Sequence, residues 1–506
     1  MKLSELTAGT KVLSVSGNLD MDIEGLSEDS RKVQKGFLFF ARKGAKVSGL
    51  DYIREAVVKG ARAVASEERI DGLSVPSIQV SSFTQAQIEM SEIFYQNPSK
   101  NLTVVGVTGT NGKTTFTYLL ESIAKKMGWK TGVMGTINYR IPESNSGATE
   151  ILPAPNTTPN VLEIQSLLHR LLERKADLVI MEVSSHALAQ GRVDPIEFDG
   201  VVFTNLTQDH LDFHKTIPEY FQAKAKLFQK MNPFKKEKMG SPFSSLRPEK
   251  FAAVNRDDPY GQKIASLCPV PVTTYGIKEA SDLRAGHITL NAAGSQFTLR
   301  GLGNDATVRL SLPGLHNIYN ALAAAASACK LGVPPETILS GLESLTAVPG
   351  RLEPVQCGQN FAVFVDYAHT EDAMKNVLES LRAMAKGRIL TLFGCGGDRD
   401  RSKRPLMGAL AAGMSDAVIV TSDNPRSEDP QKITLDIEAG IRRAGFKNYE
   451  VILDREKAIE RILQMAQKDD IVLLAGKGHE NVQIFADRTV HFDDREIARK
   501  ILSQNH

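Results

Sequence analysis

The chain has 506 residues, too many for one ordinary hydrophobic core, and a prior of ~100–200 residues per domain gives about three domains. Its 42% hydrophobic and 24% charged residues are those of a globular protein, and a net charge of +2 argues against a nucleic-acid-binding or anionic-membrane surface, so any basic site is local. Cys268, Cys329, Cys357 and Cys395 lie far apart with no CxxC pair, which argues against a disulfide framework or a zinc site. The start, MKLSELTAGTKVLSVSGNLD, has no cationic stretch followed by an apolar core, and no apolar run reaches membrane-span length, so a cytoplasmic location is expected.

Residues 1–100 mix short β-rich pieces, GFLFFA and ARAVAS, with the helix-like DYIREAVVKGA, and predict a small N-terminal α/β domain. At NLTVVGVTGTNGKTTFTYLLESIAKKMG an apolar strand meets a Gly-rich turn and then an amphipathic helix, which opens a central α/β domain of P-loop type, taken as 101–349. The loop VTGTNGKTT, 107–115, carries Gly112, Lys113 and Thr114 in the GK[ST] arrangement. Such a loop turns backbone N–H groups and a helix N-terminus toward phosphates, with the lysine on the terminal phosphates and the hydroxyl on magnesium. The usual first glycine of the pattern falls at Val107, and Gly109 is the extra one, so the loop is a variant. A Gly-rich turn with a chance GKT is the competing reading, and the strand before and helix after argue against it. ATP or GTP binding follows.

Two further apolar runs in this domain end in chemically capable residues. LVIM leads into Glu182, a candidate magnesium ligand, and VVFTNLTQDH ends in His210, with Asp209, Asp212 and His214 as competitors. Lys224 in YFQAKAKLF reads, from spacing alone, as a solvated helix lysine. Segment 229–250, basic and rich in Pro, Gly and Ser, reads as a surface excursion.

Residues 350–506 alternate strand and helix patterns from FAVFVDYAH to IVLLAGKGHE, predicting a C-terminal, Rossmann-like doubly wound domain with a parallel sheet. Ligands bind such sheets beyond the carboxyl ends of the strands. Three predicted ends carry charge: Arg399 after FGCGGD, Asp423 to Arg426 after VIVTS, and Glu480 after LLAGKGH. Carboxylates for an ammonium and guanidinium forks for a carboxylate would read an amino-acid head group. The alternative is that Arg426 pairs with Glu428 or Asp429 at the surface.

TGTNGKTT, EVSSHAL followed by Gln190 and Arg192, DHLDFH, YFQAKAKLF, GLHNIYNALAA, VPGRLEPV, DYAHT, GCGGDRDRSKRP, DNPRSEDP and GKGHE occur in that order from residue 108 to 480, with SEDSRKVQKGFLFFARKG ahead of them. Together they resemble the Mur ligases, and among these the members that add meso-diaminopimelate to UDP-N-acetylmuramoyl-L-alanyl-D-glutamate with ATP and Mg2+. The resemblance implies that Lys224 is carbamylated and joins Glu182, His210 and Thr114 around magnesium, with Lys113 as the catalytic lysine. It implies nucleotide contacts for Gly109, Thr110, Asn111, Gly112, Lys113, Thr114, Thr115, Asn317, Asn320, Arg351, Asp366 and His369. It places Ser30, Thr157, Thr158, Ser184, Gln190 and Arg192 on the UDP-sugar peptide, and Arg399, Asp423, Asn424, Arg426, Gly476 and Glu480 on diaminopimelate. Lysine-adding relatives lack the arginine of DNPR, so Arg426 is the expected specificity determinant. VSGLDYI departs from the aspartate and histidine more usual around that glycine, and Glu371 stands where proline is usual. A small-molecule enzyme acting as a monomer is expected. Alternatives are a lysine-adding or folylpolyglutamate-type ligase, against which the DSR and DNPR segments speak, and a nucleotide-dependent switch, which leaves the strand-end charges unexplained.

Overall fold

The computed structural model describes residues 1–43, 48–143, 148–234 and 249–504, so residues 235–248 of the basic segment lie outside the described residues. The chain forms two compact units: Met1–Gly106, Trp129–Val201 and Gln222–Lys250 in the first, and Val107–Gly128, Val202–Phe221 and Phe251–His506 in the second. Both are α/β.

The first unit begins with β1 (Val12–Ser16), β2 (Gly25–Ser27), β3 (Phe37–Phe40), β4 (Ala63–Ser66) and β5 (Ser77–Val80), in the order β1-β5-β4-β3-β2. β2 to β5 are parallel and β1 is an antiparallel edge. Period-2 alternation sends Leu38, Phe40, Ala63 and Ala65 to one core and Phe39 and Val64 to the other, so short apolar runs are buried on both faces. The unit continues with β6 (Thr103–Thr108), β7 (Thr131–Met134), β8 (Asn138–Pro142), β9 (Thr149–Pro153) and β10 (Leu178–Glu182), ordered β6-β10-β7-β8-β9. β10 is buried along its length and delivers Glu182 at its carboxyl end.

In the second unit the end of β6 and of β11 (Gly200–Phe203) join β12 (Phe251–Asn255), β13 (Val272–Gly276), β14 (Leu283–Asn291), β15 (Gly294–Arg300) and β16 (Ala306–Leu310), in the order β16-β15-β14-β13-β12-β11-β6. Helix Lys113–Lys126 leaves the phosphate loop and packs on the alanine-rich helix Leu315–Lys330, which is buried from Asn320 to Ala328.

The rest of that unit holds β17 (Glu353–Pro354), β18 (Ala362–Asp366), β19 (Ile389–Phe393), β20 (Ala417–Val420), β21 (Tyr449–Val451) and β22 (Ile471–Ala475), ordered β17-β18-β22-β19-β20-β21 and parallel from β18 onward. Phe364, Phe393, Val418, Val420 and Leu473 face helices Glu371–Met384, Lys403–Met414 and Pro430–Arg443. Val363, Val365, Leu390, Leu392 and Leu474 face helices Arg455–Met465 and Asp494–Gln504. Helices on both faces make this part doubly wound, as its strand-helix alternation predicts. A hairpin of β23 (Val482–Ile484) and β24 (Thr489–His491) follows β22.

Arg455 and Asp494 form a fully buried two-bond pair, Nε to Oδ1 at 2.8 Å and Nη2 to Oδ2 at 2.6 Å. Arg455 also donates to the carbonyls of Ala475 at 3.0 Å and Ser422 at 3.4 Å, the residues just before Gly476 and Asp423. Asp494→Ala strands a buried guanidinium and should lower unfolding free energy by about 3–5 kcal/mol, read as a lower urea midpoint.

Candidate functional site

The phosphate loop in the second unit is held from below. Thr110 N donates to the Asn205 carbonyl at 2.9 Å, Asn111 N to Asn205 Oδ1 at 2.9 Å, and Thr204 Oγ1 to the Asn111 carbonyl at 2.7 Å. Thr110 Oγ1 accepts from Thr207 N at 3.0 Å and lies 3.2 Å from the Tyr220 hydroxyl. Lys113 Nζ folds onto the carbonyls of Gly109 at 2.9 Å and Thr110 at 2.8 Å, which places a cation over the loop. The helix starts after Gly112, at φ +88° and with no side-chain cap, and a Cβ there would lie 2.3 Å from Asn320 Oδ1. A left-handed glycine ahead of a side-chain-uncapped helix start is the form a phosphate cradle takes.

Of the remaining nucleotide candidates, Asp366 and His369 feel the charge of Arg351. Its Nη2 donates to Thr114 Oγ1 at 3.4 Å, and its guanidinium lies 5.1 Å from the centre of the Tyr367 ring. Tyr367 in turn touches His369, with ring centroids 4.5 Å apart, and His479 at 5.0 Å. Asp366 is buried and accepts from Leu352 N at 2.7 Å and Ala368 N at 2.8 Å; burial raises its carboxyl above the usual range. Thr115 and Asn317 are buried in the two packed helices, and Asn317 donates to the Pro313 carbonyl at 2.8 Å.

At the carboxyl edge of the C-terminal sheet, the loops after β19, β20 and β22 bring the acceptor candidates together. Asn424 Nδ2 donates to Glu480 Oε2 at 2.7 Å, and Gly476, at φ +107°, would place a Cβ 2.8 Å from Asp423 Oδ2. Burial and then the Asp423 charge push the Glu480 carboxyl up. Arg426, at φ +52°, pairs with neither Glu428 nor Asp429; its Nη1 donates to the Gly397 carbonyl at 2.8 Å. Glu428 is taken instead by fully buried Arg404 at 2.8 Å, and Asp429 caps helix Pro430–Arg443. Arg399 is exposed on the neighbouring loop.

In the first unit, Ser30 lines a cavity of about 1450 Å³ together with Glu28, Arg31, Arg42, Tyr139 and Arg170, and donates to Glu55 Oε2 at 3.2 Å. Thr157, Thr158, Ser184, Gln190 and Arg192 form a second group. Thr158 Oγ1 accepts from Ser184 N at 2.9 Å and donates to the Glu182 carbonyl at 2.9 Å. Arg192 donates to Gln190 Oε1 at 2.8 Å and the Thr158 carbonyl at 3.0 Å, and Thr157 Oγ1 lies 3.0 Å from Thr136 Oγ1. Thr136 also holds Glu182, through its N at 3.0 Å and Oγ1 at 2.9 Å.

The magnesium candidates fall two in each unit: Glu182 and Lys224 in the first, Thr114 and His210 in the second. Lys224 is 1% exposed, which corrects the solvated reading that its spacing alone suggests. His210 sits at φ +55° ahead of the short helix Leu211–His214, with Nε2 3.3 Å from Asp209 Oδ2. Among the described residues no group of three or more His, Cys, Asp or Glu is placed to hold a metal ion, a count in which a lysine carbamate has no place.

Sequence patterns missed Asp372, whose Oδ2 accepts from Asn111 Nδ2 at 2.8 Å and Thr207 Oγ1 at 2.7 Å. An acid in a helix's first turn reads as dipole compensation. They missed Arg404 and Arg455 too, because charged residues at helix starts look solvated.

Three family models tile the chain: "Mur ligase family, catalytic domain" over residues 22–96, "Mur ligase middle domain" over 107–328, and "Mur ligase, glutamate ligase domain" over 350–478. A protein of Geobacillus kaustophilus is 44% identical over 504 residues, covering 100% of both chains. The chain belongs to the Mur ligase family. The Geobacillus relative, like one of Syntrophomonas wolfei that is 43% identical over 99% of each chain, is named UDP-N-acetylmuramoyl-L-alanyl-D-glutamate–2,6-diaminopimelate ligase. A solved structure of that name matches this Mur ligase with a TM-score of 0.66 and 32% identity, covering 100% of this chain and 99% of the other. The MurF ligase of Thermotoga maritima, solved with ADP, shares the fold at a TM-score of 0.64 and 19% identity, over 96% of this chain and 99% of its own.

Two histidines near Arg351 make this Mur ligase acid-sensitive. Burial and then the Arg351 charge push His316 down from 6.5 to about 4, and burial, Arg351, Arg495 and His369 push His479 down to about 4. Both are neutral in the folded chain and protonated in the unfolded chain between those values, so their contribution is whole above pH 6.5 and is lost as pH falls toward 4. Urea unfolding should show stability falling across this window by at most ~1.4 kcal/mol per pH unit for each histidine, with a shallower slope in His316→Asn.

Proposed function

We propose that this chain uses ATP to join meso-diaminopimelate to the D-glutamate carboxyl of UDP-N-acetylmuramoyl-L-alanyl-D-glutamate, in peptidoglycan precursor synthesis. The observation that carries this reading is Arg426, turned from its acidic neighbours onto the Gly397 carbonyl, beside Asn424, which holds Glu480. A guanidinium after β20 and a carboxylate after β22, on either side of β19 at one edge of the sheet, match a carboxylate and an ammonium, the zwitterionic head at the far end of diaminopimelate. L-Lysine has only the ammonium there. The names of the full-length relatives support the same substrate.

In this reading residues 1–100 bind the uridine part, 101–349 the nucleotide, and 350–506 the incoming amino acid. The γ-phosphoryl group of ATP passes to the D-glutamate carboxylate, giving an acyl phosphate and ADP. The amine of diaminopimelate attacks the acyl carbon, and the tetrahedral adduct expels phosphate to leave the amide. Lys113 and the backbone N–H groups at the start of helix Lys113–Lys126 stabilise charge on the transferred phosphoryl group, so their work is positioning and electrostatics. Magnesium, when bound, would screen phosphate charge; Thr114 and His210 in the second unit, and Glu182 and carbamylated Lys224 in the first, are the candidate ligands. Arg351, Asp366, His369, Asn317 and Asn320 shape the nucleotide's surroundings. Ser30 and the Thr157, Thr158, Ser184, Gln190 and Arg192 group hold the UDP-sugar peptide. Arg399, Asp423, Asn424, Arg426, Gly476 and Glu480 receive diaminopimelate.

Ligation run with UDP-N-acetylmuramoyl-L-alanyl-D-glutamate, ATP and either meso-diaminopimelate or L-lysine should give a product mass only with diaminopimelate; a preference for lysine would refute the reading of Arg426. Arg426→Ala should lower kcat/KM for diaminopimelate about a hundredfold, the loss of a charge-assisted contact. Lys113→Ala should keep its circular dichroism spectrum and yield no product.

A further inference from the structure

We propose that Lys477 is a positioning residue for the incoming amino acid: its ammonium orients Asn424 and Glu480 so that Oε1 of Glu480 meets the ammonium at the acceptor's far end. The inference rests on the functional reading above and adds a residue which that reading leaves without a role.

Lys477 follows Gly476 and is fully buried. Its Nζ donates to the Val482 carbonyl at 2.6 Å and to Asn424 Oδ1 at 3.3 Å, and lies 3.5 Å from Glu480 Oε2. Three acceptors meet three protons, so the ammonium is spent inside the protein and does not itself face a ligand.

The consequence falls on Asn424. Its Oδ1 takes hydrogen bonds from Lys477 and from Ile484 N at 3.0 Å, which fixes the amide with Nδ2 toward Glu480. That Nδ2 donates to Glu480 Oε2 at 2.7 Å. The hydrogen bond from Asn424 and the 3.5 Å approach of Lys477 both fall on Oε2 of Glu480, which favours Oε1 as the atom that meets an ammonium. The side chain of Glu480 is 28% exposed and so within reach of a ligand, while that of Lys477 is closed off.

Charge makes the same demand. Glu480 shares its surroundings with the Asp423 carboxylate, the Tyr367 hydroxyl and the Arg455 guanidinium, which is committed to Asp494. Lys477 is thus the cation beside Glu480 whose charge offsets that of Asp423, favouring the ionised carboxylate that an ammonium requires.

The test is steady-state ligation by the full chain with each substrate varied in turn. Lys477→Met keeps the stem and removes the charge. It should raise KM for meso-diaminopimelate about tenfold, with KM for ATP and for the UDP-dipeptide within about twofold. In a double-mutant cycle, Lys477→Met added to Glu480→Gln should cost less than about twofold more, since Lys477 acts through Glu480. An unchanged KM for diaminopimelate, an equal rise in all three KM values, or independent losses in the cycle would overturn the proposal. If Lys477→Met does not fold, Lys477→Gln is held to the same criteria. Wild-type chain that ligates no diaminopimelate would bring down the functional reading itself, a failure seen before any variant is made.

Discussion

A parallel sheet must end somewhere, and at the carboxyl edge of this one four backbone carbonyls are answered by cations buried in the domain. Arg404 donates to the Gly396 carbonyl after β19, Arg455 to those of Ser422 after β20 and Ala475 at the end of β22, and Lys477 to that of Val482. Each of the three is fully buried in its side chain and has a carboxylate partner, in Glu428 and Asp436, Asp494, and Glu480 respectively. A buried charge is costly without such a partner and strongly orienting with one. The loops that carry the acceptor candidates are therefore tied from beneath to buried charges of the domain.

The phosphate loop is held in the same way, mostly by neutral groups. Asn205, Thr204 and Thr207 hold its underside by side chain and backbone, and Asp372, at the start of helix Glu371–Met384, accepts from both Asn111 and Thr207. Lys113 lies across the loop's carbonyls. A phosphate drawing that lysine away would change the hydrogen bonding of the segment to which Asp372 is tied, so nucleotide contact and the start of the first C-terminal helix share one network. This is preorganisation in a concrete sense: the groups that hold the loop are bonded to one another before any phosphate is brought in.

Much of this was legible in the sequence, and the reasons are physical. Runs such as VVGV, LVIM, AVIV and IVLLA lack polar side chains because their strands are buried along their length, and the polar residue or glycine that follows each run marks a strand's carboxyl end. That is why the phosphate loop, Glu182, the Asp423 to Arg426 loop and Glu480 stood out. Lys224, Arg404 and Arg455 did not, since helix periodicity reports which face is apolar but not whether a charged residue has a buried partner far along the chain. Arg455 finds Asp494 39 residues away, a pairing to which no local spacing points.

Arg426 shows what such support permits. A non-glycine residue at φ +52° is disfavoured by about 1 kcal/mol or more, so the conformation persists only where its surroundings impose it. Here the backbone N–H of Arg426 is tied to the Ile484 carbonyl at 3.0 Å and its guanidinium to the Gly397 carbonyl at 2.8 Å. Ile484 N returns a bond to Asn424 Oδ1, and Gln483 Nε2 holds the Asp423 carbonyl at 2.8 Å. The small β23–β24 hairpin, which adds nothing to the main sheet, thus grips three residues of the Asp423 to Arg426 loop. Those bonds are the restraint that offsets the cost of the left-handed backbone at Arg426 and keeps its guanidinium on Gly397.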